Sequence, residues 1–324
     1  MSEINVKIYG SKDRLPKMEW ESFFHSPELF HITCRTPKQT ALMAVAFDGE
    51  RVVGHLLAII RRRTICLPPF FVSSGRVFGE GEYADDVDHT EVFQAMLTAI
   101  TKRFRRRLCF VVEFSNISQK MFGYRCFRQN GYFPINWQEI HNSLHSMPPE
   151  ERLSEKTRRR IRNVYAAGVE TREAATKEEV HDFYMVIHGF YKMKVSHVIP
   201  AENQFLELDK SDHAKIFVTI YKGKIIGGCV CVFSNGSAYL WYLASKRKTY
   251  AKLHPNLMTV WQAIRYSYDH NYAHFYFMNA GLPWSKSPFR DFVLSFGGKP
   301  VAKYRWFRFS FSWLNRFLTW LYRE

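Results

Sequence analysis

Two stretches of this chain share one grammar, and that constrains it to a duplicated fold. Residues 41–60 read ALMAVAFDGERVVGHLLAII, and residues 214–233 read AKIFVTIYKGKIIGGCVCVF. Each is a pair of β-rich runs joined by a polar turn that contains glycine, Asp48-Gly49-Glu50 in one and Lys222-Gly223-Lys224 in the other. That is the pattern of a hairpin. Downstream of each come a helix-period stretch, an aromatic strand and a second helical stretch closed by Gly-x-x-Pro, at Gly131 to Pro134 and at Gly297 to Pro300. The matched glycines stand about 170 residues apart, the scale of a domain and far beyond the roughly 20–50 residues of a solenoid repeat. The break is expected near Pro148-Pro149. It gives two domains, 1–150 and 151–324, each of ordinary domain size.

The apolar spacing supplies the elements. Val92, Phe93, Met96, Leu97, Ile100 and Phe104 share one helical face, as do Leu257, Val260, Trp261, Ile264 and Tyr268. Strands are expected at Leu108–Phe114, Ala238–Ala244 and Ala273–Met278, and further helices at Lys120–Gln129, Lys177–Lys192 and Phe289–Phe296. Ser154–Ala167 reads as a basic helix capped by Ser154 or Thr157 and stopped by Gly168. A long acidic, glycine-bearing loop is expected over Ser73–His89, entered through Pro68-Pro69-Phe70-Phe71. Each domain thus reads as α/β, a mixed but mainly antiparallel sheet flanked by helices.

Charge narrows the partners. Lys and Arg number 46 against 30 Asp and Glu, a net +16, with clusters at Arg61–Arg63, Arg103 to Arg107, Arg158–Arg162 and Lys246–Lys248. Such a balance attracts phosphates, nucleic acid or anionic lipid. The six cysteines are scattered, and no Cys/His set has zinc-ligand spacing. No metal is expected. The first residues carry no apolar signal segment, and no apolar run reaches the ~20 residues of a membrane span. The expected location is cytoplasmic, or at the inner face of the membrane.

The segment KTRRRIRNVYAAGVETRE, Lys156–Glu173, resembles the FemAB-like branch of the GNAT superfamily. Further matches are Phe190-Tyr191, Ile225 to Gly228, Ala244-Ser245 and Phe296-Gly297-Gly298. The resemblance implies two tandem GNAT-like domains, in which the fourth and fifth strands splay apart and hold the acyl donor. It implies transfer of an amino acid from aminoacyl-tRNA to an amine of a peptidoglycan-precursor peptide. In that family a basic residue of this helix contacts the acceptor's diphosphate, which makes Arg158, Arg159 and Arg162 the candidates here. Because this cationic helix stands at the domain junction, Arg158, Arg159 or Arg162 is expected to line a groove between the domains, facing the Ser73–His89 loop. The first domain is expected on the acceptor side, the second on the donor side. One departure is Val293, in Phe292-Val293-Leu294-Ser295-Phe296-Gly297, where the family often has lysine; Lys286 or Arg290 is expected to reach the same space. Another is Ser245–Asn256, which lacks the glycines of an ordinary GNAT phosphate loop; Lys246, Arg247 and Lys248 are expected to bind phosphate by side-chain charge instead.

Acyl transfer to an amine needs a neutral amine, an oxyanion stabiliser and a proton for the leaving group. Tyr242 and Ser245, closing the fourth strand of the second domain, are the expected proton donors, and Asn279, closing the fifth, orients the amine. No tightly bound cofactor is expected; the donor is aminoacyl-tRNA or acyl-CoA, and the acceptor is acidic or phosphorylated. The alternatives are a CoA-dependent N-acetyltransferase on a small amine and an inactive basic protein that binds RNA or phospholipid. Residues 304–324 are aromatic and basic, with Trp313, Phe317, Trp320 and Leu321 on one helical face. They mark a candidate peripheral membrane contact, against the alternative that the helix docks on its own domain.

Overall fold

The computed structural model describes residues 4–64, 71–191 and 200–322. Cys66 and the Pro68–Phe70 loop entry lie outside the described residues. In chain order the first half contains β1 (Asn5–Tyr9), α1 (Pro27–Arg35), β2 (Gln39–Asp48), β3 (Arg51–Thr64), β4 (Phe71–Phe78), β5 (Glu82–Tyr83), α2 (His89–Arg106), β6 (Cys109–Ser115), α3 (Tyr124–Gln129) and β7 (Phe133–Ser143). There follow α4 (Pro149–Arg152), α5 (Glu155–Ala166), β8 (Val169–Glu173), α6 (Lys177–Tyr191), α7 (Glu202–Leu208), β9 (Ala214–Tyr221), β10 (Lys224–Ser234), β11 (Ser237–Ser245), α8 (Pro255–Asp269), β12 (His274–Gly281), α9 (Pro288–Leu294), β13 (Lys299–Phe309) and α10 (Ser312–Leu321).

The duplicated hairpins are β2–β3 and β9–β10, both antiparallel. Each Gly-x-x-Pro leads into a strand, β7 in one case and β13 in the other. The expected loop over Ser73–His89 is in part strand: Ser73–Phe78 belongs to β4, and Glu82–Tyr83 is β5. Ser73, Gly75 and Val77 are buried, so the segment alternates as a half-buried strand does. The helix expected from Lys120 begins only at Tyr124, because Gly123 stands in the left-handed region at φ 58°.

The chain forms two compact units, and their bounds differ from a division at 150. One unit comprises residues 1–137 with 302–324; the other is 138–301. The reason lies in the strands that close the two repeats. β7 pairs through residues 138–143 with β12 of the second unit, and β13 pairs through Trp306–Phe309 with β6 of the first. Hydrogen-bonding along a strand outweighs nearness in sequence, so residues 302–324 belong with the first unit.

In the first unit the strand order is β1-β2-β3-β4-β6-β13. The helix α2 lies on this sheet with its apolar face inward, its N-terminus capped by Asp88, which accepts the Thr90 N–H at 2.8 Å. The core is aromatic: Phe93, Phe114, Phe127 and Trp306, with Trp306 stacked on Phe127 at 4.6 Å. In the second unit the order is β12-β11-β10-β9-β8, with the end of β7 on the outer side of β12. The helix α6 crosses β10 at Gly228, where an added Cβ would come within 2.5 Å of the Phe183 ring. Glycine here sets the packing distance between helix and sheet.

Candidate active site

The two units differ at the strand pair that matters. In the first, β4 and β6 run parallel and pair at six positions, Ser73–Cys109 to Phe78–Ser115. In the second, the corresponding β11 and β12 pair at only three, Ser237–His274 to Tyr239–Tyr276. Beyond Tyr239 the strands part, and between them lies a cleft of about 500 Å³, within the usual range for a small-ligand site. Leu240 to Leu243 form one wall, and Phe277 to Asn279 with Gly281 form the other.

A β-bulge marks the parting. On β10, Val230 pairs with Tyr242 and the next residue, Cys231, pairs with Leu240. Trp241 is therefore an extra residue, which bends its strand and leaves it locally unpaired. Neighbours in a regular strand point to opposite faces. Here the rings of Trp241 and Tyr242 stack at 5.4 Å with 25° between planes.

Tyr242 and Asn256 line the cleft. The Tyr242 hydroxyl and the Asn256 Oδ1 are each buried without a hydrogen-bond partner among the described residues, as is the Ser245 Oγ at the end of β11. Tyr191 donates to the Leu243 carbonyl at 3.4 Å. Burial, with the adjacent Tyr242, pushes the Tyr191 phenol up to about 12, so it stays protonated at neutral pH.

A second cavity adjoins the cleft, sharing Arg247, Asn256 and Phe292 with it. It presents Arg160, Arg247 and Lys248 beside the first turn of α8. No glycine is present, but His254, the residue before α8, takes the left-handed conformation at φ 42° and ψ 52°. Burial and then the charge of Arg160 push the His254 imidazolium toward its neutral form. The backbone geometry usually supplied by glycine is thus supplied by a strained histidine.

The expected site residues fall into groups. Tyr242, Asn279 and Arg247 line the cleft, Lys248 lines its basic neighbour, and Ser245 lies buried at the end of β11. Lys246 and Lys286 are exposed and line neither cavity. Arg290 is committed elsewhere. Its guanidinium donates to the Leu282 carbonyl (2.9 Å), the Ser285 carbonyl (2.6 Å) and Gln138 Oε1 (2.8 Å), bracing the loop after β12. Val293 is fully buried in the core, so that position serves packing in this chain, and the neighbouring Phe292 faces the cleft.

On α5 the arginines divide by helical face. Arg158 and Arg162 each pair with Glu155 at 3.2 Å on an exposed side. Arg159 and Arg160, with Lys156, line a groove of about 310 Å³ closed by Lys252 and His254. Residues 156, 160 and 163 recur at helical spacing, which was the available sequence signal for Arg160. The signal for Asn256 was its place in the first turn of the helix after the fourth strand. The bulge at Trp241 had no sequence signal.

Residues 151–286 match the acetyltransferase (GNAT) domain family. Among solved structures, the chain is similar to FemX, with a TM-score of 0.62 at 10% identity over 93% of this chain and 94% of that one. It is also similar to a tandem GNAT protein from the clavulanic acid biosynthesis pathway (TM-score 0.57, 10% identity, 95% and 99% covered). A third is L-PGS from Bacillus licheniformis (TM-score 0.53, 16% identity, 82% and 86% covered). No curated protein sequence matches the chain. Residues 151–286 thus carry an acyltransferase domain of the GNAT type. The chain as a whole shares its fold with FemX and with the tandem GNAT protein of the clavulanic acid pathway.

Proposed function

We propose that the second unit transfers an acyl group, most specifically an aminoacyl group, from a phosphate-bearing donor to the amine of an acidic or phosphorylated acceptor. The observation that carries this reading is the parting of β11 and β12 after three residue pairs, with Tyr242, whose hydroxyl has no hydrogen-bond partner among the described residues, lining the cleft so opened. The acyl chain lies along β11. The donor's phosphates meet Arg247 and Lys248, charge-assisted contacts that need no glycine loop. The attacking amine approaches from the Asn279 side. Attack forms a C–N bond and a tetrahedral oxyanion; collapse breaks the bond to the leaving oxygen or sulfur, which takes its proton from Tyr242, and the proton shed by the attacking nitrogen restores the Tyr242 hydroxyl by way of solvent. The groove of Arg159 and Arg160 receives the acceptor's phosphates.

The FemAB-like resemblance of Lys156–Glu173 supports an aminoacyl donor and a cell-wall-type acceptor. The likeness to L-PGS, and to a structure described as a putative lysylphosphatidylglycerol synthetase from Agrobacterium fabrum, supports a phospholipid as the alternative acceptor. The second reading is acetyl transfer from acetyl-CoA to a small amine, favoured by the matched domain and by the cations beside α8. No described helix is long and apolar enough to cross a membrane, which suits a donor that arrives from the aqueous phase.

The test is single-turnover transfer. The protein is supplied with isotope-labelled aminoacyl-tRNA, or with labelled acetyl-CoA, and amine acceptors with and without a diphosphate. Label transferred from tRNA to a phosphorylated acceptor supports the first reading. Transfer from acetyl-CoA alone supports the second. Absence of both transfer and donor binding overturns the enzymatic reading in favour of a binding protein.

A further inference from the structure

We propose that α10, together with the basic end of α2, seats the first unit on an anionic lipid surface. The observation is a helix apolar on both sides. Leu314, Asn315, Leu318 and Tyr322 turn toward the unit. Asn315 accepts the Phe309 N–H at 2.8 Å and donates to the Gly131 carbonyl at 2.9 Å, and Tyr322 stacks on Phe133 at 6.0 Å. The helix is therefore anchored without its other face. That face holds Trp313 (70% exposed), Phe317 (53%), Trp320 (68%) and Leu321 (53%), and Phe311 at the start of the helix is 54% exposed. No residue of α10 is buried. Five large apolar side chains in solvent within eleven residues form a patch that calls for an occupant.

Charge selects the occupant. Ser310, just before α10, donates its N–H to the Phe110 carbonyl at 2.9 Å and its hydroxyl to the Cys109 carbonyl, and the Phe110 ring packs on Phe311 at 5.7 Å. The start of α10 thus adjoins the end of α2. There Arg105, Arg106 and Arg107 are exposed, followed by Leu108, 78% exposed in the left-handed conformation at φ 51°. Arg316 is exposed on α10 itself. Neither 102–112 nor 300–322 contains an acidic residue. A tryptophan-rich apolar face beside an exposed polybasic turn fits the membrane interface: indole rings settle at the headgroup level and the arginines meet anionic lipid. A second copy of so basic a face would bring like charges together. The inference does not depend on the reaction assigned to the second unit.

The experiment is vesicle flotation of the full chain at low and high salt. Vesicles of equimolar phosphatidylglycerol and phosphatidylcholine are compared with phosphatidylcholine alone. The protein should float with the anionic vesicles, and high salt should weaken the association. The triple variant Trp313→Ser, Phe317→Ser and Trp320→Ser should lose about tenfold or more in partitioning with an unchanged thermal midpoint, since all three side chains are exposed. Arg105→Gln, Arg106→Gln and Arg107→Gln together should remove most of the preference for anionic vesicles. Tryptophan quenching by brominated lipid in the unmodified protein reads the same contact without any variant. No flotation and no quenching at low salt overturns the proposal. So does a dimer in solution that the triple variant dissolves while neither protein floats, for then the face joins two copies.

Discussion

Arg305 and Glu113 stand 192 residues apart in sequence and are joined at 3.0 Å inside one folded unit. Arg76 approaches the same carboxylate at 3.4 Å. Burial pushes the Glu113 carboxyl up, but Arg76, Arg305 and Arg61 together more than offset this, and it is held below the usual range. Arg305 also lies over the Trp137 ring, 4.3 Å from its centroid. Replacing Glu113 with Gln leaves these cations without their counter-charge. The expected loss is about 3 kcal/mol, read as a lower urea midpoint for the first unit. An unchanged midpoint would show that solvent already screens the cluster.

Tyr242→Phe removes the hydroxyl and keeps the ring that packs on Trp241 and Phe205. If this group protonates the leaving atom, kcat should fall by about 10²–10⁴-fold, with KM for the donor nearly unchanged. A change in KM alone would make Tyr242 a binding group.

Arg247→Ala and Lys248→Ala should act on the donor instead. Each charge-assisted contact is worth about 1.5–3 kcal/mol, so donor KM should rise about tenfold or more per site while kcat holds. The effect should shrink for a donor fragment without phosphates, which steady-state kinetics on the truncated donor will show.

The arginines of α5 offer an internal comparison. Arg159→Ala with Arg160→Ala should weaken acceptor binding, whereas Arg158→Ala with Arg162→Ala should alter it little, because those two are paired with Glu155 at the surface. Isothermal titration with the acceptor distinguishes the pairs. The opposite order would move the acceptor site to the other face of α5.

A buried histidine predicts acid sensitivity. Both ring nitrogens of His25 face backbone N–H groups, Leu57 and Gly81, each at 3.1 Å. A neutral ring accepts from one of them; a protonated ring accepts from neither. Burial, then the charge of His55, lower its pKa to about 3, with Glu82 opposing. The unfolded chain therefore binds a proton near pH 6.5 that the folded one refuses, and stability falls as pH drops from about 6.5 toward 3. The slope should approach about 1.4 kcal/mol per pH unit from this group. His25→Gln should flatten that part of the denaturation profile, whatever it does to stability at neutral pH.

The hairpins, the α2 and α8 faces and the glycine-proline endings were legible because local periodicity determines them. The cleft between β11 and β12 follows from the element order once the fold is known, whatever it binds. What escaped were features settled by long-range pairing. Nothing near Trp241 in the sequence announces that it is one residue too many for its partner strand. Nothing near Lys299–Phe309 says that it completes the sheet of the other repeat. Arg290 looked available because its three acceptors, two of them carbonyls, are invisible in a list of side chains.

The closure of the first unit by β13 has a consequence for how the protein is made. Residues 1–137 leave the ribosome first, yet β6 still lacks a neighbour on one edge and Trp306 is missing from the aromatic core. The second unit, continuous from 138 to 301, is finished before that strand exists. Synthesis and completion thus run in opposite orders: the first half of the chain waits, with an open strand edge and an unfilled core, for a segment encoded after the whole of its twin. That interval is when a chaperone, or a premature stop, would matter most.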